Sequence, residues 1–520
     1  FEWGDNKSYD CGVDMPIKTC EACGTIIDQL GFSIPFETFL GFEGDKEPDI
    51  DLNFAGEYQG TAHKYVEEIF GKGNVFKAGT IGTIKSRTAY GYVKKYFEET
   101  GTSTNKWEIE RLTEGCTEIR RTTGQHPGGI IIVPEGHDIH EFCPVQHPAN
   151  DMNTEIITTH FDYHSIDQNL LKLDILGHDV PSQIRHLQDM TGLDPLKVPL
   201  HDDKVNSLFT STEALDIKNP EYKFLHGTYG IPEFGTEFVR RMLDDTKPTR
   251  FADLVRISGF SHGTDVWNNN ASEFIKNGMA TMNDAISTRD DIMNYLILKG
   301  LPNKDAFKIM EGVRKGKGVS DEYVALMERN GIPGWYIESC RRIKYMFPRA
   351  HAVAYVMMSY RIAYYKVYYP AEFYAAYFTV KRDDFNSDLI HTGVRGAMER
   401  IQELNSKGKA ATDKEKNEVT VLEVMYEMFS RGLEFLPARL GISDAMKFNA
   451  EAGKVRIPLA AMSGVGEAAA RMICCEFDLK PFETVDELRE RSKANQTAVE
   501  AMKNHGVLEG LPESDQLSLF

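Results

Sequence analysis

No apolar run in the chain approaches the roughly 18 residues that a membrane helix needs, so no membrane span is expected. The start, Phe1-Glu2-Trp3, has no initiator Met and no basic stretch leading into an apolar one. A secretory signal is not expected from it, and it reads as a start inside a longer chain. The eight cysteines (Cys11, Cys20, Cys23, Cys116, Cys143, Cys340, Cys474 and Cys475) show no framework spacing. A disulfide scaffold is therefore not expected, and a reducing cytoplasm suits the pattern. Positive charge is scarce: the net of -19 excludes a protein that coats nucleic acid by bulk charge. What the chain does have is length, 520 residues with 41% apolar content, enough for three or four domains with cores of their own.

Against that acidic background one stretch is basic. Lys304 to Lys366 holds twelve Lys and Arg against six Asp and Glu. A local cationic channel is compatible with an acidic remainder that keeps the chain soluble.

The most informative segment is Glu47-Pro48-Asp49-Ile50-Asp51-Leu52-Asn53-Phe54. Two carboxylates two residues apart in an apolar run read as a strand that turns both to one face. Like charges held together need a cation between them, and a hard divalent ion prefers carboxylate oxygens. Asp174 sits in a second apolar run, Leu170-Leu171-Lys172-Leu173-Asp174-Ile175-Leu176-Gly177. Burying an unpaired carboxylate is costly. Three strand carboxylates converging on one point suit two-metal phosphoryl or nucleotidyl transfer.

Other segments fill in the organisation. Residues 58–98 read as mostly helical, broken near Ala78–Thr83, with Lys85, Arg87 and further cations following. Thr122-Thr123-Gly124-Gln125-His126-Pro127-Gly128-Gly129 reads as a tight turn feeding the strand Ile130–Val133. Helical periodicity dominates from 181 to about 400, and Lys407–Lys416 reads as a basic linker. Within the helical part, Val313-Arg314-Lys315-Gly316-Lys317-Gly318 resembles a helix end whose cations hold a triphosphate or simply face solvent. Arg256–Thr264, with Ser261 and His262, reads as a loop able to hydrogen-bond a nucleotide or as a capped turn. Arg349 and His351 open a long helix whose tyrosines are mostly core.

Ile457–Ala470 has the shape of a helix-hairpin-helix, whose turn through Gly464 and Gly466 lets helix N-terminal amides grip a DNA phosphate. A second copy is expected within Leu488–Leu511. Cys20-Glu21-Ala22-Cys23-Gly24 is half of a zinc knuckle or a pair of reduced thiols. The end, Gln516-Leu517-Ser518-Leu519-Phe520, is an apolar tail that needs a docking site, its own protein or a partner.

In this order DIDLNF, TGQHPGG, KLDILGHD, SGFSHGTD, VRKGKG, FPRAHAVAY, the GVG hairpin and QLSLF closely resemble the C-terminal half of the bacterial C-family replicative polymerases, the DNA polymerase III alpha subunits of PolC type. The resemblance implies an α+β multidomain chain: a partial zinc-knuckle segment over 1–35 and an X-family-like nucleotidyltransferase palm over 36–81 and 136–178. It further implies an inserted helical thumb over 82–135, helical fingers over 179–420, a helix-hairpin-helix duplex-binding domain over 421–511 and a clamp-binding tail over 512–520. By the same resemblance Asp49, Asp51 and Asp174 are catalytic ligands of two Mg²⁺ ions. Lys172, Ser261, His262, Arg314, Lys315, Lys317, Arg349 and His351 meet the dNTP, and Lys85, Arg87, Gly464 and Gly466 meet DNA. Gln516, Leu517, Leu519 and Phe520 meet the sliding clamp, while Cys20 and Cys23 supply an incomplete zinc site in which Cys11 has no family counterpart.

The expected activity is template-directed DNA synthesis in the cytoplasm, with primer-template DNA, dNTPs, the clamp and other replisome subunits as partners and no membrane. The family's triphosphate-contacting palm loop lies upstream of the cysteine segment and is missing here. A non-catalytic DNA- and clamp-binding fragment is therefore the alternative. A metal-dependent glycosyltransferase would also use DxD, but it needs neither a hairpin domain nor a clamp peptide.

Overall fold

The computed structural model describes residues 10–44, 50–148, 151–154, 156–166 and 169–514. The chain divides into one unit of residues 43–182 and another of residues 1–42 with 183–520.

The first unit is built on a six-stranded sheet. Its strands are β1 (Ile50–Ala55), β2 (Val75–Thr83), β3 (Arg120–Ile132), β4 (Val145–Gln146), β5 (Thr158–Asp162) and β6 (Leu171–His178), in the order β1-β6-β3-β2-β5-β4. β1 runs parallel to β6, and β3 lies antiparallel to β6 on its other side. The period of two decides what each face carries. Leu173 and Ile175 of β6 are buried with Ile130 and Ile132 of β3 and with Ala62 and Val66 of α1 (Gln59–Phe70). Lys172 and Asp174, the alternate residues, turn the other way.

Helices α2 (Ser86–Thr100) and α3 (Lys106–Cys116) are inserted between β2 and β3. The insertion read from the sequence as 82–135 is therefore shorter in its helical part, because residues 120–132 return into the sheet. The expected turn at Thr122–Gly129 is likewise not a chain reversal. Against β2, Ile130 pairs with Lys77 and Gln125 with Gly79, so His126, Pro127, Gly128 and Gly129 form a bulge within β3. A Cβ at Gly128 would lie 2.7 Å from the Ile175 carbonyl oxygen, so only glycine allows the bulge to press onto β6.

The second unit is mostly helical. Its main helices are α4 (Asp179–Thr191), α5 (Glu237–Thr246), α6 (Phe251–His262), α7 (Arg289–Leu298), α8 (Asn303–Arg314), α9 (Asp321–Arg329), α10 (Gly334–Arg342), α11 (Arg349–Tyr368), α12 (Pro370–Val380), α13 (Gly393–Ser406) and α14 (Asp413–Ser430). α11 is apolar on most sides, which suits a central position: Val353, Val356, Tyr360 and Ala363 lie in one core with Phe251 and Val255 of α6. The cysteine-containing segment joins this core through Cys11, Val13, Phe32 and Ile34. Asp14 also caps α6, its carboxylate oxygens accepting from Phe251 N–H at 2.7 Å and Ala252 N–H at 2.9 Å.

The stretch Lys407–Lys416, read as a linker, is the turn of a hairpin between α13 and α14 and the first part of α14 itself. The boundary expected at 421 falls inside α14. A small sheet follows, with β7 (Phe435–Leu436), β8 (Asn449–Glu451) and β9 (Lys454–Arg456) in the order β7-β9-β8, then α15 (Glu467–Leu479), α16 (Val485–Ser492) and α17 (Gln496–Asn504). Gly466 is the N-cap of α15. Gly464 adopts φ +99°, and a Cβ there would lie 3.4 Å from Ala501 Cβ, so the two helical hairpins meet closely at this glycine.

Candidate active site

β1 and β6 bring two of the three expected carboxylates together. Asp51 and Asp174 are direct partners in the parallel register, so both rise from one face of the sheet. Asp49 lies outside the described residues. Lys172, two residues before Asp174 on the same face, donates from Nζ to Asp174 Oδ2 at 2.9 Å and lies over the Tyr163 ring at 5.1 Å. The other oxygen, Asp174 Oδ1, is buried without a hydrogen-bond partner among the described residues.

The nearest candidate donor is His126 Nδ1 at 3.6 Å, and it is occupied. It accepts from the Gly129 N–H at 2.7 Å and more weakly from Gly128 N–H at 3.3 Å. A ring nitrogen that accepts carries no proton, so Nε2 holds the hydrogen. Burial and then the Lys172 charge hold the His126 pKa below its ordinary value, although Asp174, Asp162 and Asp51 pull it up. His126 thus stays neutral beside three carboxylates. The sequence reading missed both His126 and Asp162. His126 looked like part of a turn, and Asp162 reaches the site only because β5 pairs with β2.

A buried carboxylate oxygen with no donor, beside a second carboxylate in register, suits a hard cation. Among the described residues no group of three or more His, Cys, Asp or Glu is arranged as a metal site.

In the helical unit the expected cations divide. Arg314 and Lys315 close α8, and Gly316 and Gly318 follow with φ +70°. Arg314 makes a two-pronged pair with Glu311, at 2.7 and 2.9 Å, and Lys315 lies 3.4 Å from the same carboxylate. Lys317 makes no ion pair among the described residues. Ser261 and His262 occupy the last turn of α6 and not a loop. His262 packs against Phe347, His351 and Tyr355 at the start of α11.

Arg349 is committed elsewhere. Its backbone N–H donates to Asp290 at 2.6 Å, and its half-buried guanidinium pairs with Asp291. The N-terminus of α11 is therefore already capped by a carboxylate, which removes it as a ready phosphate site.

The remaining candidates scatter. Lys85 pairs with Glu118 at 2.9 Å, and Arg87 lies on the exposed side of α2. Cys20 and Cys23 flank a knuckle in which Gly24 N–H donates to the Cys20 carbonyl at 2.8 Å and Thr19 bridges Ile26. Cys11 is not part of it. Its buried thiol donates to Asp14 and is pushed up to about 12, first by burial and then by that carboxylate. Gln516, Leu517, Leu519 and Phe520 lie outside the described residues.

Three family models match in order along the chain. Residues 22–177 match the bacterial DNA polymerase III alpha NTPase domain, residues 180–331 the bacterial DNA polymerase III alpha subunit finger domain, and residues 432–517 a helix-hairpin-helix motif. The chain belongs to the bacterial DNA polymerase III alpha family. Within it the similarity is to the PolC type. The chain is 60% identical to DNA polymerase III PolC-type of Clostridium perfringens over 514 residues, covering 99% of this chain and 35% of that protein. It is 57% identical to that of Caldanaerobacter subterraneus over 519 residues, covering 100% of this chain and 37% of the relative. To that of Bacillus subtilis it is 51% identical over 519 residues, covering 100% and 36%. The chain thus spans little more than a third of these relatives' length.

Proposed function

We propose that the chain forms the catalytic core of a template-directed DNA polymerase, transferring a deoxynucleotide to a primer 3′-OH in chromosomal replication. The observation that carries this reading is the in-register pair of Asp51 and Asp174, with Asp174 Oδ1 buried and without a hydrogen-bond partner among the described residues. In this reading the six-stranded sheet is the palm, α2 and α3 belong to the thumb, and α5 to α13 build the fingers. Asp49, Asp51 and Asp174 would hold two Mg²⁺ ions. Bound there, Mg²⁺ lowers the pKa of the attacking hydroxyl and offsets charge on the leaving pyrophosphate.

The chain's own groups prepare that site. Lys172 fixes Asp174 by one oxygen and leaves the other for the cation. His126, locked as the Nε2–H form, can donate to primer or nucleotide without adding charge. In the fingers, Lys315 and Lys317 would meet the triphosphate, and Arg314 would do so by exchanging Glu311 for phosphate, a bidentate geometry that guanidinium favours. Ser261, His262 and His351 would line the same face, and Arg349 would support it from behind through Asp291. Base choice then comes from pairing with the template.

Lys85 and Arg87, with the amides after Gly464 and Gly466, would track DNA phosphates. The last five residues would dock on the sliding clamp, with other replisome subunits assembling around a protein that works in the cytoplasm. Cys20 and Cys23 would supply half of a zinc site completed by ligands from elsewhere.

Primer extension on a primed template with Mg²⁺, by this chain beside Asp51→Asn and Asp174→Asn, tests the reading. Extension lost in both variants with duplex binding retained supports it. Normal extension by either variant refutes the metal assignment. No extension by the parent chain, with duplex binding intact, assigns it the DNA-binding part of the polymerase and the catalytic remainder to other segments.

A further inference from the structure

Both ring nitrogens of His262 face acceptors. Nδ1 lies 2.7 Å from the carbonyl oxygen of Ser258, and Nε2 lies 3.0 Å from Glu233 Oε2. A carbonyl oxygen only accepts and a carboxylate oxygen is an acceptor, so both ring nitrogens are placed to donate, the arrangement that favours an imidazolium. Burial works against that charge. The hydrogen bond and charge of Glu233, and then the Ser258 carbonyl, outweigh it, and the pKa is raised above the ordinary 6.5. The titratable groups facing the ring are Glu233 from the segment before α5, and His351 and Tyr355 from α11. The hydroxyl of Ser261 adds a contact at 3.2 Å.

Glu233 reaches His262 from an unfavourable backbone. Its φ is +68°, in the left-handed region that non-glycine residues seldom occupy. Its side chain is only 14% exposed. A strained residue that buries a carboxylate against one histidine is doing something a glycine turn would not.

We propose that Glu233 is a positioning residue for nucleotide binding: it keeps His262 doubly protonated and fixed against Phe347 and His351, so that an incoming polyphosphate meets a hydrogen-bond donor already in place. The proposal rests on the reading of His262 as a triphosphate contact. The polyphosphate competes with Glu233 for the Nε2 hydrogen while Ser258 keeps the other nitrogen oriented. A histidine without Glu233 would be protonated in only a fraction of molecules near neutral pH, and nucleotide binding would draw on that fraction alone.

The test compares the chain with Glu233→Gln, an isosteric change. The His262 titration is followed by NMR, and dATP binding with Mg²⁺ is measured by calorimetry across the same pH range. In the parent, dATP affinity falls as pH rises through the His262 midpoint. In Glu233→Gln that midpoint drops, and the fall in affinity moves with it. Below both midpoints the variant binds dATP at least as tightly as the parent, because the amide competes less for the Nε2 hydrogen. A purely structural role would weaken binding at every pH and leave the midpoint where it was, which overturns the proposal. A midpoint that drops while dATP binding keeps its pH profile, and is also unchanged in His262→Gln, refutes the nucleotide reading of His262 instead.

Discussion

Replacing Lys172 by Met would remove the lysine paired with Asp174 while keeping the length of the stem. The two side chains are 16% and 21% exposed. A fully buried pair that loses one partner costs about 3–5 kcal/mol, and an exposed one about 0.2–1 kcal/mol. The intermediate burial here puts the cost at about 2 kcal/mol. The penalty is local to the sheet, so global unfolding of a chain with two units would blur it. Hydrogen exchange of the β6 amides reads it directly. Protection should fall by about 30-fold, since 1.4 kcal/mol is tenfold.

If the proposed site holds, Mg²⁺ would supply the missing positive charge. At 100 times its Kd a ligand restores about 2.7 kcal/mol, so saturating Mg²⁺ should return protection close to the parent's. Asp174→Asn, which removes the ligand itself, should show no such recovery. A loss below about threefold in Lys172→Met, or equal protection of the parent and Asp174→Asn by Mg²⁺, would refute the argument that Asp174 is held by one oxygen and offers the other.

Four further outcomes are expected. Glu427→Ala should destabilise the helical unit by about 3–5 kcal/mol in denaturant unfolding, because it leaves the fully buried Lys366, 2.6 Å from that carboxylate, without its counter-ion. Gly128→Ala should cost about 1–3 kcal/mol by overpacking and weaken Mg²⁺ binding in titration, since the new methyl would meet Leu176 at 2.4 Å and displace the bulge that pins His126. The raised pKa of His262 means that its pair with Glu233 stabilises fully below the ordinary 6.5 and fades as pH rises through the folded value, so a pH series of unfolding midpoints should slope downward there and flatten in Glu233→Gln. Alkylation mapped by mass spectrometry should reach Cys23 first, because it is exposed and its pKa is lowered by hydrogen bonds from Thr25 and Cys20; Cys11 and Cys340, both pushed up to about 12, should react last.

The carboxylate face was legible because a strand's period of two is a local rule: Lys172 and Asp174 share a face whatever the rest of the chain does. The hairpin at Gly464 and Gly466 was legible for the same reason. Where the reading went astray, glycine was the cause. In Ser258-Gly259-Phe260-Ser261-His262-Gly263 it suggested a loop, yet the segment is the last part of a helix. Gly259 is there because a Cβ would lie 2.7 Å from the Ser287 carbonyl oxygen, so α6 could not pack against the turn before α7. Gly128 and Gly129 misled in the same way. A single sequence does not distinguish a glycine that turns the chain from one that lets two backbones touch, because the second backbone comes from far away.

Charge shows the same limit, and it bears on function. The stretch from Lys304 to Lys366 is basic when counted alone, but the fold brings acids to it from outside. Arg342 pairs with Glu273, Lys344 with Asp265, Arg349 with Asp291 and Lys366 with Glu427. Those pairs hold the helical unit together and leave little net field from the cations they use. In the proposed reading, recognition of a polyanion would fall to the few cations at the end of α8, where Glu311 serves both Arg314 and Lys315 and Lys317 makes no ion pair among the described residues. Arg314 and Lys315 share Glu311 within three or four residues of one helix, so a triphosphate that took the place of that carboxylate would leave the long-range pairs that build the fold intact.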